Sequence, residues 1–153
     1  MDLWIDSELA WKISEKFPGM KELADSRGAI VDLKIMKDFE PMYRQEEGRI
    51  SFVEYWRYDL QMAIYQELVK EWRGIQVPCY ILGATKQDPP DLTLVKIPQE
   101  LLDFNLMQLK KRLPDIDEVK QGIVEPDECG RCAWCRQTKE LSGPTVPGAL
   151  MWA

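Results

Sequence analysis

Ala29-Ile30-Val31-Asp32-Leu33-Lys34-Ile35 is an apolar run that carries one acid and one base two residues apart. It reads as a strand, in which successive side chains alternate between faces. Asp32 and Lys34 then share one face, and Val31 and Leu33 share the other. One face is expected to carry chemistry and the other to build core. A carboxylate can hold a divalent cation, and an ammonium beside it can hold or polarise a water, a common pairing for metal-assisted phosphodiester hydrolysis. An ordinary alternating surface strand shows the same tripeptide pattern, so the function must come from its neighbours.

The surrounding chain has 153 residues, enough for one domain with a real core, and its 45% hydrophobic and 30% charged content is that of a globular protein. No apolar run approaches a membrane span, and Met1-Asp2-Leu3-Trp4-Ile5-Asp6 lacks the basic start of a signal peptide. The expected location is intracellular. A net charge of −6 excludes a general nucleic-acid coat but not a nuclease, which needs an acidic metal site and only local basic contacts. Lys34, Lys37, Arg44, Arg49 and Lys110-Lys111-Arg112 are candidates for such contacts, the last group being equally a helix end favoured by the dipole. There is no histidine, which excludes histidine-based triads and Cys2His2 fingers.

Before the central stretch, residues 1–6 alternate as a short strand. A helix start at Ser7-Glu8 leads to one or two turns that end at Pro18-Gly19, and another turn is expected over 20–24. This excursion, about residues 7–25, reads as a helical insertion decorating the surface between two strands that pair. After it, Ser51-x-x-Glu54 is a capping box opening one long helix from Phe52 to Arg73, stopped by Gly74. Its stripe of Phe52, Val53, Trp56, Leu60, Ala63, Ile64, Leu68 and Trp72 is expected to pack on the sheet. Gln61 and Tyr65 lie one turn apart on one face. Residues 77–85 are a buried strand, and strand–helix–strand implies a crossover and a partly parallel sheet. Residues 92–97 form an edge strand, and Pro98 opens a helix that Pro114 stops. A weaker helix is expected over 117–121.

Asp2, Asp32-x-Lys34 and Gln61-x3-Tyr65, taken together in this order, resemble the PD-(D/E)xK nuclease superfamily, in its RecB-like branch. The wording of residues 31–39 and 58–66, then Val77-Pro78-Cys79-Tyr80-Ile81 and Thr85-Lys86, is similar to the phage exodeoxyribonuclease VIII (RecE-like) group. The resemblance implies an α/β fold, a restriction-endonuclease-like mixed sheet flanked by helices, with a C-terminal cysteine knuckle. It implies that Asp2, Asp32 and the Leu33 carbonyl hold Mg²⁺ or Mn²⁺, that Lys34 orients the attacking water, and that Gln61 and Tyr65 support it from the helix. Lys86 and Lys37 are candidate DNA contacts. The implied activity is exonucleolytic hydrolysis of linear duplex DNA ends in phage or prophage recombination, in the cytoplasm of a bacterial host. Its implied partners are a single-strand annealing protein and further copies of the chain in a ring. The family's leading helix has no counterpart ahead of Asp2, so residues 1–127 read as a partial core and a DNA-binding or assembly module without turnover is the alternative.

Cys129-x2-Cys132-x2-Cys135 is too tightly spaced for a disulfide framework and reads as a metal knuckle over 128–141, taking a [4Fe–4S] cluster or Zn²⁺. Both want a fourth ligand. Cys79, inside an apolar strand, reads as core. Residues 142–153 are rich in Gly and Pro and are expected to be a loose tail.

Overall fold

The computed structural model describes residues 3–44, 47–130, 132–140 and 143–144. The chain divides into two compact units, Met1–Lys111 and Arg112–Ala153. In chain order the elements are Leu3–Asp6 (β1), Ser7–Lys16 (α1), a 3₁₀ segment Pro18–Asp25, Gly28–Met36 (β2), Met42–Arg44 (β3), Gly48–Ile50 (β4), Phe52–Tyr55 (α2), Tyr58–Arg73 (α3), Cys79–Thr85 (β5), Leu92–Ile97 (β6), Gln99–Lys120 (α4) and Ala133–Gln137 (α5). The mixed sheet flanked by helices is the α/β architecture expected. Its order is β1-β2-β5-β6, with β1 antiparallel to β2, β2 parallel to β5, and β5 antiparallel to β6. A parallel pair needs a crossover, and α3 supplies it. β3 and β4 form a separate two-stranded antiparallel hairpin.

Two apolar clusters sandwich the sheet. Ile30, Ile81 and Cys79 meet Met62, Ala63 and Val69 of α3 and Leu102 of α4 on one side. On the other, Ala29, Val31 and Tyr80 meet Ala10 of α1 and Leu23 of the 3₁₀ segment. The segment read as surface decoration therefore covers half a sheet face. Asp6 starts it, its carboxylate accepting the Leu9 amide at 2.9 Å, and α1 runs to about three turns rather than one or two. Glu22 then ties the 3₁₀ segment down by accepting the Tyr80 hydroxyl and pairing with Lys96. Both partners hold its carboxyl below the usual range, Lys96 first.

Four expectations need correction. The face of β2 opposite Asp32 is core only as far as Val31: Leu33 is 46% and Ile35 62% exposed. The larger core lies instead on the Asp32 side, with Ile30. The helix from 52 to 73 is two helices. The Ser51–Glu54 capping box forms as expected, but Arg57 sits at φ +57° and breaks the run after Trp56. That break resets the helical phase, so α3 buries Asp59, Met62, Ala63, Gln66 and Val69, while Trp56, Leu68 and Trp72 of the expected stripe are exposed. Gln66 belongs on the buried face because its amide donates to the Val77 carbonyl at 2.8 Å and exchanges hydrogen bonds with Gln99. Finally, Pro114 does not stop the last long helix. α4 runs through it to Lys120, giving up the bond that residue 114 would donate to the Lys110 carbonyl and absorbing the weaker helix expected over 117–121. Gly74, at φ +66°, does end α3 as expected.

Candidate active site

Asp32 occupies the fifth position of β2, where the strand has passed its β1 partners: the described β1 register ends at Leu3↔Val31. From there Asp32 lies opposite Ile81 of β5, and Lys34 opposite Gly83. Asp32 is 1% exposed. A carboxylate buried to that degree needs a cationic partner. Lys34 Nζ supplies it at 2.6 Å from Oδ2. The contact is a close ion pair, and an ionised carboxylate keeps further lone pairs for a hard cation. The ammonium also sits 4.5 Å from the centroid of the Tyr58 ring. The ring and the carboxylate therefore hold the same ammonium.

Tyr58 opens α3, and Gln61 and Tyr65 follow at i+3 and i+7, which places all three on one helix face. Gln61 Nε2 donates to Tyr65 Oη at 2.7 Å. That bond occupies an oxygen lone pair and leaves the phenol proton to donate elsewhere. The structure thus brings Gln61 and Tyr65 together, on the face whose first residue touches Lys34.

Two further lysines stand at the carboxyl end of the parallel strands, the end where open α/β sheets bind their ligands. Lys37 follows β2 and is 95% exposed, with a loose pair to Asp38 at 3.3 Å. Lys86 follows β5, exposed, with its amide bonded to the Met36 carbonyl at 2.8 Å. Asp2 lies outside the described residues.

Two features escaped the sequence reading. Tyr58 is one; its spacing from Gln61 was the available signal. The other is a polar bridge at the start of α3. Asn105 of α4 donates to Asp59 Oδ2 at 2.9 Å and accepts from Arg57 Nη2 at 2.8 Å. Arg57 Nε stands 3.5 Å from Asp59 Oδ1. Asp59 and Asn105 are buried. The bridge holds the left-handed turn that sets the direction of Tyr58, and no local pattern announces a partner 48 residues away.

Among the described residues, the cysteines of the second unit form the group of three or more metal-type ligands in reach of one another. Cys129, Cys132 and Cys135 have their sulfurs all within 4.8 Å. Cys79 belongs to the core of the first unit, where burial pushes its thiol up to about 12.

Comparison with known proteins gives the same picture. The family described as "PDDEXK-like domain of unknown function (DUF3799)" matches residues 9–138, a stretch that takes in Asp32, Lys34, Gln61, Tyr65 and the three cysteines. A crystal structure described as "Putative exonuclease" from Eubacterium rectale is 39% identical, with a TM-score of 0.68 over 80% of this chain. The match spans 46% of that longer chain. No curated protein matches. With the acid-x-lysine pair seated on a mixed sheet and the family match covering most of its length, the chain belongs to the PDDEXK-like domain family.

Proposed function

We propose that this domain is a divalent-metal-dependent exodeoxyribonuclease acting on the ends of linear duplex DNA, of the RecE-like kind that serves phage or prophage recombination. The observation that carries it is the buried Asp32 carboxylate paired with Lys34 at 2.6 Å on one strand face. Such a carboxylate fits a hard cation, and Asp32 would hold Mg²⁺ or Mn²⁺ together with the Leu33 carbonyl and Asp2. Bound there, the ion would supply Lewis acidity and a more acidic water. Lys34 would place its side-chain nitrogen where negative charge builds on the phosphoryl group. Tyr65, its oxygen held by Gln61, offers its proton to a water or a phosphate oxygen. Lys37 and Lys86 would take backbone phosphates beyond the scissile one. A single-strand annealing protein and a ring of further copies are the partners this reading implies.

One observation favours a second reading, a DNA-binding or assembly module without turnover. Among the described residues no group of three carboxylate or thiolate ligands gathers at Asp32. The deciding experiment is release of acid-soluble nucleotide from linear duplex DNA by the purified chain with Mg²⁺, beside a circular duplex and Lys34→Ala. Degradation of the linear form alone, abolished in the variant, is the expected result. Folded protein that binds DNA and releases nothing would establish the module instead.

A further inference from the structure

The three cysteines of the second unit have a geometry that selects among metals. Cys132 Sγ is 3.5 Å from Cys135 Sγ, and Cys129 Sγ is 3.8 Å from Cys135 Sγ. These are not bonded sulfurs, which stand about 2.05 Å apart. One tetrahedral ion with Zn–S bonds of about 2.3 Å places its thiolates about 3.8 Å apart, the edge of the tetrahedron. A [4Fe–4S] cubane binds each thiolate to a different iron and spreads the sulfurs to about 6 Å. The two spacings to Cys135, with all three sulfurs within 4.8 Å, are those of ligands around a single ion.

The backbone supports the same arrangement. The Cys132 amide points at Cys129 Sγ at 3.2 Å, and the Cys135 amide at Cys132 Sγ at 3.4 Å. Amides directed at sulfur offset thiolate charge. Gly130, at φ +68°, makes the turn that aims them. The sulfurs open onto a cavity of about 580 Å³ whose wall also carries Glu125, Asp127, Glu128 and Trp134. The same cavity is lined by three cysteines and three acidic residues. Three cysteine sulfurs at the spacing of one ion, with an open cavity beside them for a water, suit zinc.

We infer that Cys129, Cys132 and Cys135 bind one Zn²⁺ as thiolates, with the fourth corner left to a water from the cavity. The three thiols release their protons to solvent on binding. The site is independent of the nuclease reading, since it uses none of the residues at Asp32.

The test is metal analysis of the full chain after anaerobic reconstitution, once with Zn²⁺ and once with iron plus sulfide. Expected are one zinc per chain surviving gel filtration and a Co²⁺ derivative with an intense thiolate charge-transfer band and tetrahedral visible bands. Cys132→Ser and Cys135→Ser should lower zinc content at least tenfold. Should those variants not fold, the wild-type chain still decides: Zn²⁺ should shield three thiols from alkylation, and chelation should expose them again. Lys34→Ala should bind zinc as the wild type does, so loss of nuclease activity alone leaves the inference standing. Four irons with acid-labile sulfide per chain would overturn it, as would thiols that alkylate equally fast with and without Zn²⁺.

Discussion

Lys34 Nζ stands 4.5 Å from the centre of the Tyr58 ring, joining the lysine of β2 to the first residue of α3. The ring face carries partial negative charge and restrains the ammonium without competing for its protons. Tyr58 is thereby a positioning residue for Lys34. Tyr58→Leu should lower nuclease kcat about 2- to 30-fold, the range expected for losing a cation–π contact of about 0.5–2 kcal/mol. Tyr58→Phe, which keeps the ring, should restore most of the rate with KM unchanged. Equal losses in both variants would place the effect in the hydroxyl and refute the ring's role.

Gly83 lies directly across from Lys34 in the parallel ladder. A Cβ at that position would fall 2.9 Å from both the Phe39 ring and Thr93 Cγ2. Phe39 in turn packs on Phe52 at 5.6 Å, so the ring has little room to yield. Gly83→Ala should destabilise the fold by about 1–3 kcal/mol, the usual cost of overpacking. Urea unfolding should show a lower midpoint at an unchanged slope.

The bridge through Asn105 makes another stability prediction. Asn105→Leu removes the donor to Asp59 and the acceptor for Arg57, leaving a buried carboxylate poorly matched. A loss of about 1–3 kcal/mol is expected, read as a fall in the unfolding midpoint. The double variant Asn105→Leu with Asp59→Leu should recover part of that loss, because no buried charge is then left behind.

Acid should loosen the α1 side of the sheet through Glu22. Its folded pKa is lowered below 4.5 by the hydrogen bonds from Lys96 and Tyr80. A lowered carboxyl contributes stability that is full above about pH 4.5 and is lost as pH falls through the folded value. Thermal unfolding followed from pH 6 to pH 3 should therefore fall less steeply in Glu22→Gln, which starts from a lower plateau. Parallel curves would show that the Glu22 contacts contribute nothing.

Cys79 offers a fifth prediction. Burial disfavours its thiolate and pushes the thiol up to about 12. At pH 8 it should resist alkylation in the native chain while reacting quickly in denaturant, with exposed Cys132 of the chelator-treated, metal-free chain as the internal reference.

The sequence alone determined those features that local chemistry controls. Alternation placed Asp32 and Lys34 on one strand face, Ser51 and Glu54 set a helix start, and Gly74 ended α3 because only a left-handed residue closes it there. A helix between two apolar runs required the parallel crossover that β2 and β5 make. Spacing of four residues sufficed to bring Gln61 to Tyr65. Tertiary structure decided what depends on distant partners. Arg57 accepts a left-handed backbone, costly for a residue with a Cβ, because Asn105 and Asp59 hold its guanidinium, and that break rotates the whole buried face of α3. Leu33 and Ile35 have the pattern of core residues yet stay exposed, because α1 and the 3₁₀ segment cover β2 only as far as Val31. Burial depends on what packs above a strand, and alternation along the strand determines only which side chains share a face.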